Sequence, residues 1–198
     1  MSKIGIFGGA FNPIHNGHLF IAKESLEIFG LDKVIFVPTG NPVFKKEDLL
    51  DKYVRANLVE IAIKDEPGFE ISYFEINRDE PSYYIETLLF FRESFDDIYS
   101  IIGEDAFVFF HKWKNPQEIL NNSKMIIAER FEDNFAGTKS YISEYFKQYE
   151  KNISFLTHPF YRVSSTVVRE RIKQGKHIDY LVPDALKRII LSKGYYKV

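Results

Sequence analysis

The sequence contains no cysteine. That excludes disulfides, thiolate metal ligands and a cysteine nucleophile, and it is compatible with a cytosolic protein without requiring one. No apolar run approaches the roughly 18 residues of a membrane-spanning helix. The opening Met1-Ser-Lys-Ile-Gly-Ile-Phe-Gly-Gly9 lacks the basic start, long apolar stretch and small-residue cleavage site of a secretory leader. A soluble, cytoplasmic protein with no membrane partner is therefore expected. Charge of one sign is also missing. The net charge of −2 over 198 residues provides no bulk basic field for nucleic acid, so any phosphate binding has to be local. No internal repeat, low-complexity tract or clear linker interrupts the chain.

What is present suits one domain, residues 1–198, in which 45% apolar residues suffice to fill a core. Short β-branched runs at Lys3–Phe7, Val34–Val37, Ile98–Ile102, Lys124–Ala128 and Ile153–Leu156 read as strands. Most are apolar on both faces, as in a parallel sheet covered by helices on either side. Phe69–Ile76 alternates more and is expected near an edge. Between the strands, Leu19, Ala22, Leu26 and Phe29 form a stripe at helical spacing. So do Val54, Leu58 and Ile61; Ile85, Leu88 and Leu89; and, after Pro183, Leu186, Ile189 and Ile190. This order predicts an α/β, doubly wound, mostly parallel sheet with a small helical C-terminal part. Glu132–Ser140 is the most loop-like interior stretch.

The most informative segment is Gly5-Ile-Phe-Gly-Gly-Ala-Phe-Asn-Pro-Ile-His-Asn-Gly-His-Leu19. A strand runs into Gly8-Gly9, and a helix is expected to start near Gly17. Glycines let a backbone approach a ligand closely. A helix start offers N–H groups and the positive end of the dipole to an anion. The carboxyl end of a strand is where open α/β sheets bind ligands. His15 and His18, three apart, would face one anion if His15 caps the helix, each donating through a ring nitrogen even when neutral. The plainer reading is a turn histidine beside a satisfied helix histidine; two of them at one glycine-rich junction weigh against it. Neither G-x-G-x-x-G nor G-x-x-x-x-G-K-[ST] occurs, and the histidines lack H-E-x-x-H spacing.

A second candidate phosphate site is Val163-Ser-Ser-Thr-Val-Val-Arg-Glu-Arg171. Ser164, Ser165 and Thr166 are N-cap candidates, and Ser165, Thr166 and Arg169 share a helix face. Hydroxyls, terminal amides and a guanidinium fork suit a polyphosphate. Taken alone, the segment reads more readily as a plain cap with a surface arginine; beside the first site the phosphate reading is favoured.

With both sites in view, the chain resembles the nucleotidylyltransferase superfamily, marked by H-x-G-H after the first strand and a late S-S-T-x-x-R. Within that group it resembles the bacterial nicotinate-nucleotide adenylyltransferases nearly end to end. The likeness is carried by Gly8–His18, Val37-Pro-Thr-Gly-Asn-Pro42, Arg55, Pro81-Ser-Tyr83 with Glu86-Thr-Leu88, Ile102-Gly-Glu-Asp-Ala106, Trp113, Ser164-Ser-Thr166 and Tyr180-Leu-Val-Pro183. The resemblance implies a Rossmann-like fold. It implies adenylyl transfer from ATP to nicotinate mononucleotide with Mg2+, releasing pyrophosphate and giving deamido-NAD. By the same resemblance, Gly8, Gly9, Ala10, Phe11, His15 and His18 hold ATP phosphates, and Gly103 and Asp105 meet the ribose. Ser164, Ser165, Thr166 and Arg169 hold the outer phosphates, with His15, His18 and Arg169 catalytic. Thr39, Lys45, Tyr84, Thr87 and Trp113 fall to the acceptor. The sequence departs from the family pattern at Ala10, Asn12, Phe44 and Tyr84, where threonine, often aspartate, histidine and threonine are usual.

Bland alternatives stand beside several of these assignments. Trp113, the only tryptophan, reads as a core anchor on sequence alone and as a nicotinate platform by resemblance. Asp105 also reads as a helix cap, and Lys45-Lys46 as an ordinary charged loop. His111, His158 and His177 receive no role. No metal ligand is assigned, because magnesium binds mainly through substrate phosphates. Rival acceptors are nicotinamide mononucleotide and phosphopantetheine; Trp113 and Pro81-Ser-Tyr83 argue against the latter. A non-catalytic nucleotide-binding regulator is a rival of another class, opposed by the intact His15, His18 and Arg169. An aminoacyl-tRNA synthetase core would need a longer chain and a lysine-rich late loop. A homo-oligomer is left open.

Overall fold

The computed structural model describes residues 2–44, 48–129, 135–157 and 163–197. Its order is β1 (Lys3–Gly9), α1 (Asn16–Phe29), β2 (Lys33–Pro38), α2 (Lys52–Ile63), β3 (Phe69–Ile71), α3 (Tyr84–Arg92), β4 (Asp97–Gly103), α4 (Glu104–Phe107), α5 (Pro116–Asn122), β5 (Lys124–Ala128), α6 (Ala136–Tyr145), β6 (Ile153–Leu156), α7 (Ser165–Lys173) and α8 (Asp184–Lys193). Among the described residues the six strands form one sheet in the order β3-β2-β1-β4-β5-β6, parallel at every pairing. No helix among them is long and apolar enough to cross a membrane.

Side chains alternate between two apolar layers, as the pleat requires. Phe7, Val34, Phe36, Tyr99, Ile101 and Ile126 face one layer, which α1, α2, α7 and α8 complete with Ile21, Leu58, Val168 and Leu186. Ile4, Ile6, Ile35, Val37, Ile98 and Ile127 face the other, closed by Leu88 of α3, Ile119 of α5 and Ile142 of α6. Burial on both faces explains why these strands read as nearly continuous apolar runs. The two helices α7 and α8, expected as a small C-terminal part, are integral to the first layer.

Two local expectations change. Strand character ends at Ile71: Ser72 Oγ accepts the Phe74 N–H (3.3 Å) and the Asn77 N–H turns back to Tyr73 (2.9 Å). The stretch expected to be a loop is helical from Ala136, because Thr138 and Ile142 are buried and Thr138 donates to the fully buried Glu104 (2.5 Å). That tertiary bond does not register as periodicity.

The chain passes from β1 outward through β2 and β3, then returns to lay β4 on the other side of β1. The reversal lies between β1 and β4, so their carboxyl ends, Gly8-Gly9 and Gly103, flank the crevice where this class of sheet binds ligands.

Candidate active site

At the end of β1, Gly9 O accepts the Thr39 N–H (2.9 Å), which ties the loops after β1 and β2 together. Phe11 then adopts φ 45°, a left-handed conformation that costs a non-glycine residue about 1–3 kcal/mol and persists only when its surroundings impose it. The surroundings do: the ring is buried and packs edge-on against Phe7 (5.8 Å) and His18 (5.1 Å). The loop turns through Asn12 and Pro13 into α1.

His15 is the N-cap of α1, and it forms an unusual capping box with His18. His15 Nδ1 accepts the His18 N–H (3.3 Å), and His18 Nδ1 accepts the His15 N–H (3.2 Å). The rings stack at 3.6 Å and 19°. With both Nδ1 atoms accepting, a neutral ring at either position carries its proton on Nε2; His15 is buried and His18 half-buried. Gly17 lies between them for a steric reason. A Cβ there would stand 2.8 Å from Val163 Cγ1 and 3.1 Å from His15 Nδ1.

The second segment reaches the same loop. Ser164 caps α7, its side chain accepting the Val167 N–H (3.2 Å). Ser165 Oγ donates to Pro13 O (2.8 Å). Arg169 Nη1 donates to Asn12 O (2.8 Å), and Nη2 reaches Thr166 Oγ1 (3.4 Å). Neither α1 nor α7 carries an acidic residue in its first turn, so neither positive helix end is offset by its own side chains. The His15–His18 pair and the Ser165–Arg169 pair, 150 residues apart in sequence, thus meet across the Asn12–Pro13 turn.

The residues expected to face the acceptor are held by α3 and its supports. The Tyr84 ring lies 3.5 Å from where a Gly8 Cβ would be and 5.7 Å from the Trp113 ring, forming a continuous wall. The Tyr84 hydroxyl points inward, donating to Ser100 Oγ (2.6 Å), which contacts Ser123 Oγ (2.7 Å). Burial pushes this phenol well above its usual range. Trp113 also packs on Phe110 (5.2 Å), so it is half anchor and half wall. Thr87 is buried and donates to Glu75 Oε1 (2.6 Å). Gly103 is the N-cap of α4, and Asp105 is exposed in its first turn. Phe44 is largely exposed, and Lys45 lies outside the described residues.

Two buried polar groups here have no role in the reading of the sequence. Arg55, 1% exposed, donates to the carbonyls of Leu50 (3.0 Å), Ala10 (2.7 Å), Thr39 (2.7 Å) and Gly40 (3.3 Å), and so clasps three loops. Burial draws its guanidinium below the usual arginine range. A hint was available: Arg55 shares a helix face with Leu58, Val59 and Ala62, all buried. Glu75, 7% exposed, has no hydrogen-bond partner at Oε2 among the described residues, and burial raises its carboxyl above the usual range. Nothing in the local pattern marks Glu75 as interior.

Among the described residues no group of three or more His, Cys, Asp or Glu side chains is placed to hold a metal ion. The loop instead offers imidazole, hydroxyl, amide and guanidinium donors, a set matched to phosphate oxygens.

Comparison with known proteins agrees with this architecture. Residues 6–171 match the family described as cytidylyltransferase-like. Over the full length of both chains, the sequence is 42% identical to a Clostridium tetani protein named "Probable nicotinate-nucleotide adenylyltransferase". It is 39% identical to a Caldicellulosiruptor bescii protein of the same name, covering 98% of this chain and 99% of the relative. The solved structure of Plasmodium falciparum nicotinic acid mononucleotide adenylyltransferase complexed with NaAD has the same fold. It matches with TM-score 0.79 at 18% identity, over 99% of this chain and 98% of that one.

Proposed function

This chain belongs to the nicotinate-nucleotide adenylyltransferases within the cytidylyltransferase-like family, and from that premise we propose that it transfers the adenylyl group of ATP to nicotinate mononucleotide, giving deamido-NAD and pyrophosphate. The observation that carries the reading is the meeting of the stacked His15–His18 pair with Ser165 and Arg169 around one turn.

A phosphate oxygen of the mononucleotide attacks the α-phosphorus of ATP, and the bond from that phosphorus to the bridging oxygen of the β-phosphate breaks. The nucleophile is already anionic near neutral pH and needs no general base. The leaving pyrophosphate needs its charge neutralised more than it needs a proton. Catalysis is therefore positioning plus electrostatic stabilisation. In this reading the Gly8–Phe11 backbone and the Nε2–H groups of His15 and His18 bind the phosphates next to the reacting centre. The α7 N-terminus with Ser164, Ser165, Thr166 and Arg169 binds the outer phosphates. Two of the five guanidinium donors of Arg169 are spent on Asn12 and Thr166, which aims the remainder. Gly103 and Asp105 take the adenosine ribose. Thr39, Tyr84, Thr87 and Trp113, with Lys45, serve the acceptor; the wall formed by Tyr84 and Trp113 supports a flat aromatic ring there. Magnesium comes with the triphosphate, where it shields phosphate charge, and no protein residue is assigned to it.

The test is pyrophosphate release by purified protein from ATP with nicotinate mononucleotide, its amide or phosphopantetheine, with the dinucleotide product identified by mass. The acid is expected to give the highest kcat/KM. Release with none of the three acceptors would sink the enzymatic reading, and a preference for the amide would move the acceptor assignment.

A further inference from the structure

The Asn12–Pro13 turn is gripped from a third direction, by a residue 184 positions downstream of Asn12. After α8, Gly194 (φ 67°) and Tyr196 (φ 65°) both take left-handed conformations, which fold the chain back against the sheet. The Tyr196 ring enters the core layer that also holds Phe11 and Ile14, leaving 7% of the residue exposed. Its hydroxyl donates to Asn12 Oδ1 (3.0 Å).

Asn12 is itself a junction. Oδ1 also accepts the Leu50 N–H (3.2 Å), Nδ2 donates to Asp48 O (2.7 Å), and the main-chain oxygen accepts Arg169 Nη1 (2.8 Å). A core tyrosine needs only some partner for its hydroxyl. This one takes the side chain of the residue whose carbonyl anchors the phosphate-facing arginine. The phenol lies near enough to Arg169 and Arg55 for both charges to act on it.

We propose that Tyr196 is a positioning residue for the phosphate site: by fixing Asn12 through its hydroxyl, it sets the carbonyl that aims the Arg169 guanidinium at the triphosphate. The inference rests on the reading of Arg169 as a phosphate ligand. It predicts an effect on ATP that depends on Arg169, not a general loosening of the fold.

The experiment measures ATP binding by calorimetry without acceptor, and KM for both substrates by pyrophosphate release, in wild type, Tyr196→Phe, Arg169→Ala and the double variant. Tyr99→Phe is the comparison, since that buried hydroxyl accepts from Lys124 (3.2 Å) near the opposite ends of the strands. Tyr196→Phe should raise the Kd and KM for ATP about tenfold and leave the acceptor KM within twofold. Tyr99→Phe should move neither. In the Arg169→Ala background, Tyr196→Phe should have no further effect, because coupled residues are not additive. An ATP Kd within twofold of wild type, equal effects on both substrates, or an undiminished effect without Arg169 would each overturn the proposal. If wild type binds ATP but releases no pyrophosphate, the assigned reaction fails while the Kd comparison still decides this inference. If wild type does not bind ATP, both fall.

Discussion

At the proposed phosphate site, His15 and His18 cap one another three residues apart and Ser164 caps its own helix, while Ser165 and Arg169 reach across the chain to Pro13 and Asn12. At the proposed acceptor site, alignment comes wholly from side chains farther apart in sequence. Arg55 clasps Ala10 and Thr39, Thr87 holds Glu75, and Tyr84 reaches Ser100. Caps on helix ends are compact and leave a short pattern in the sequence. Distant buried polar pairs leave none. Of the four departures from the family pattern, Ala10 and Asn12 fall on the first side and Phe44 and Tyr84 on the second, where Tyr84 is itself one of the buried bonds.

Removing Arg55 attacks the comparison most severely, because it links the two sides. Arg55→Met strands four carbonyls, and unsatisfied buried groups cost about 1–3 kcal/mol each. Even partial rescue by water leaves a loss of roughly 3 kcal/mol, on the order of 10 °C in melting temperature for a chain of this size. Both KM values should rise with it; if calorimetry shows that loss while both KM values hold, the two sides are organised independently. Next, His18→Ala removes one preorganised donor, and kcat should fall about 10²-fold or more, with acceptor KM changing far less. Near-normal turnover of the purified variant would remove the histidine pair from the chemistry.

The acceptor side is probed more gently by Tyr84→Phe. The Ser100–Ser123 contact survives, so the cost is about 1 kcal/mol of stability. Acceptor KM should rise a few-fold and ATP affinity should not move; an equal change in both would erase the distinction drawn between the two sides. The smallest effect is expected from Glu75→Gln. Burial raises the folded-state pKa of Glu75, so its protonated form is favoured by the fold. Its contribution is complete below the usual carboxylate pKa and is lost as pH rises through the raised value. The Gln variant should melt above wild type at pH 8, with the gap closing toward pH 4.5; a gap that grows on acidification would reverse the sign.

Much of this architecture is legible in the amino-acid sequence. The β1, β2, β4, β5 and β6 runs were visible because both faces are buried, and α1 and α2 because one face is. His15, His18, Ser164 and Arg169 stood out because cap chemistry is local and leaves a short pattern. What stayed hidden was held by distance. Glu132–Ser140 reads as a loop, yet its part from Ala136 on is helix, fastened by Thr138 to Glu104, a bond spanning 34 residues. Arg55 shows in the sequence only as a family match and by its place on an apolar helix face; its role depends on three loops converging on one guanidinium. Glu75 and Tyr196 sit among ordinary aromatic and charged neighbours, and no spacing rule signals a partner at the other end of the chain.

Gly17 has a mechanical consequence. With Val163 and His15 so near that not even a methyl group fits, α1 and the segment leading into α7 interlock at this seam. On the opposite lip Gly40 is held at least as closely, since a Cβ there would stand 2.1 Å from Glu75 O, so a glycine contact braces the crevice on each side.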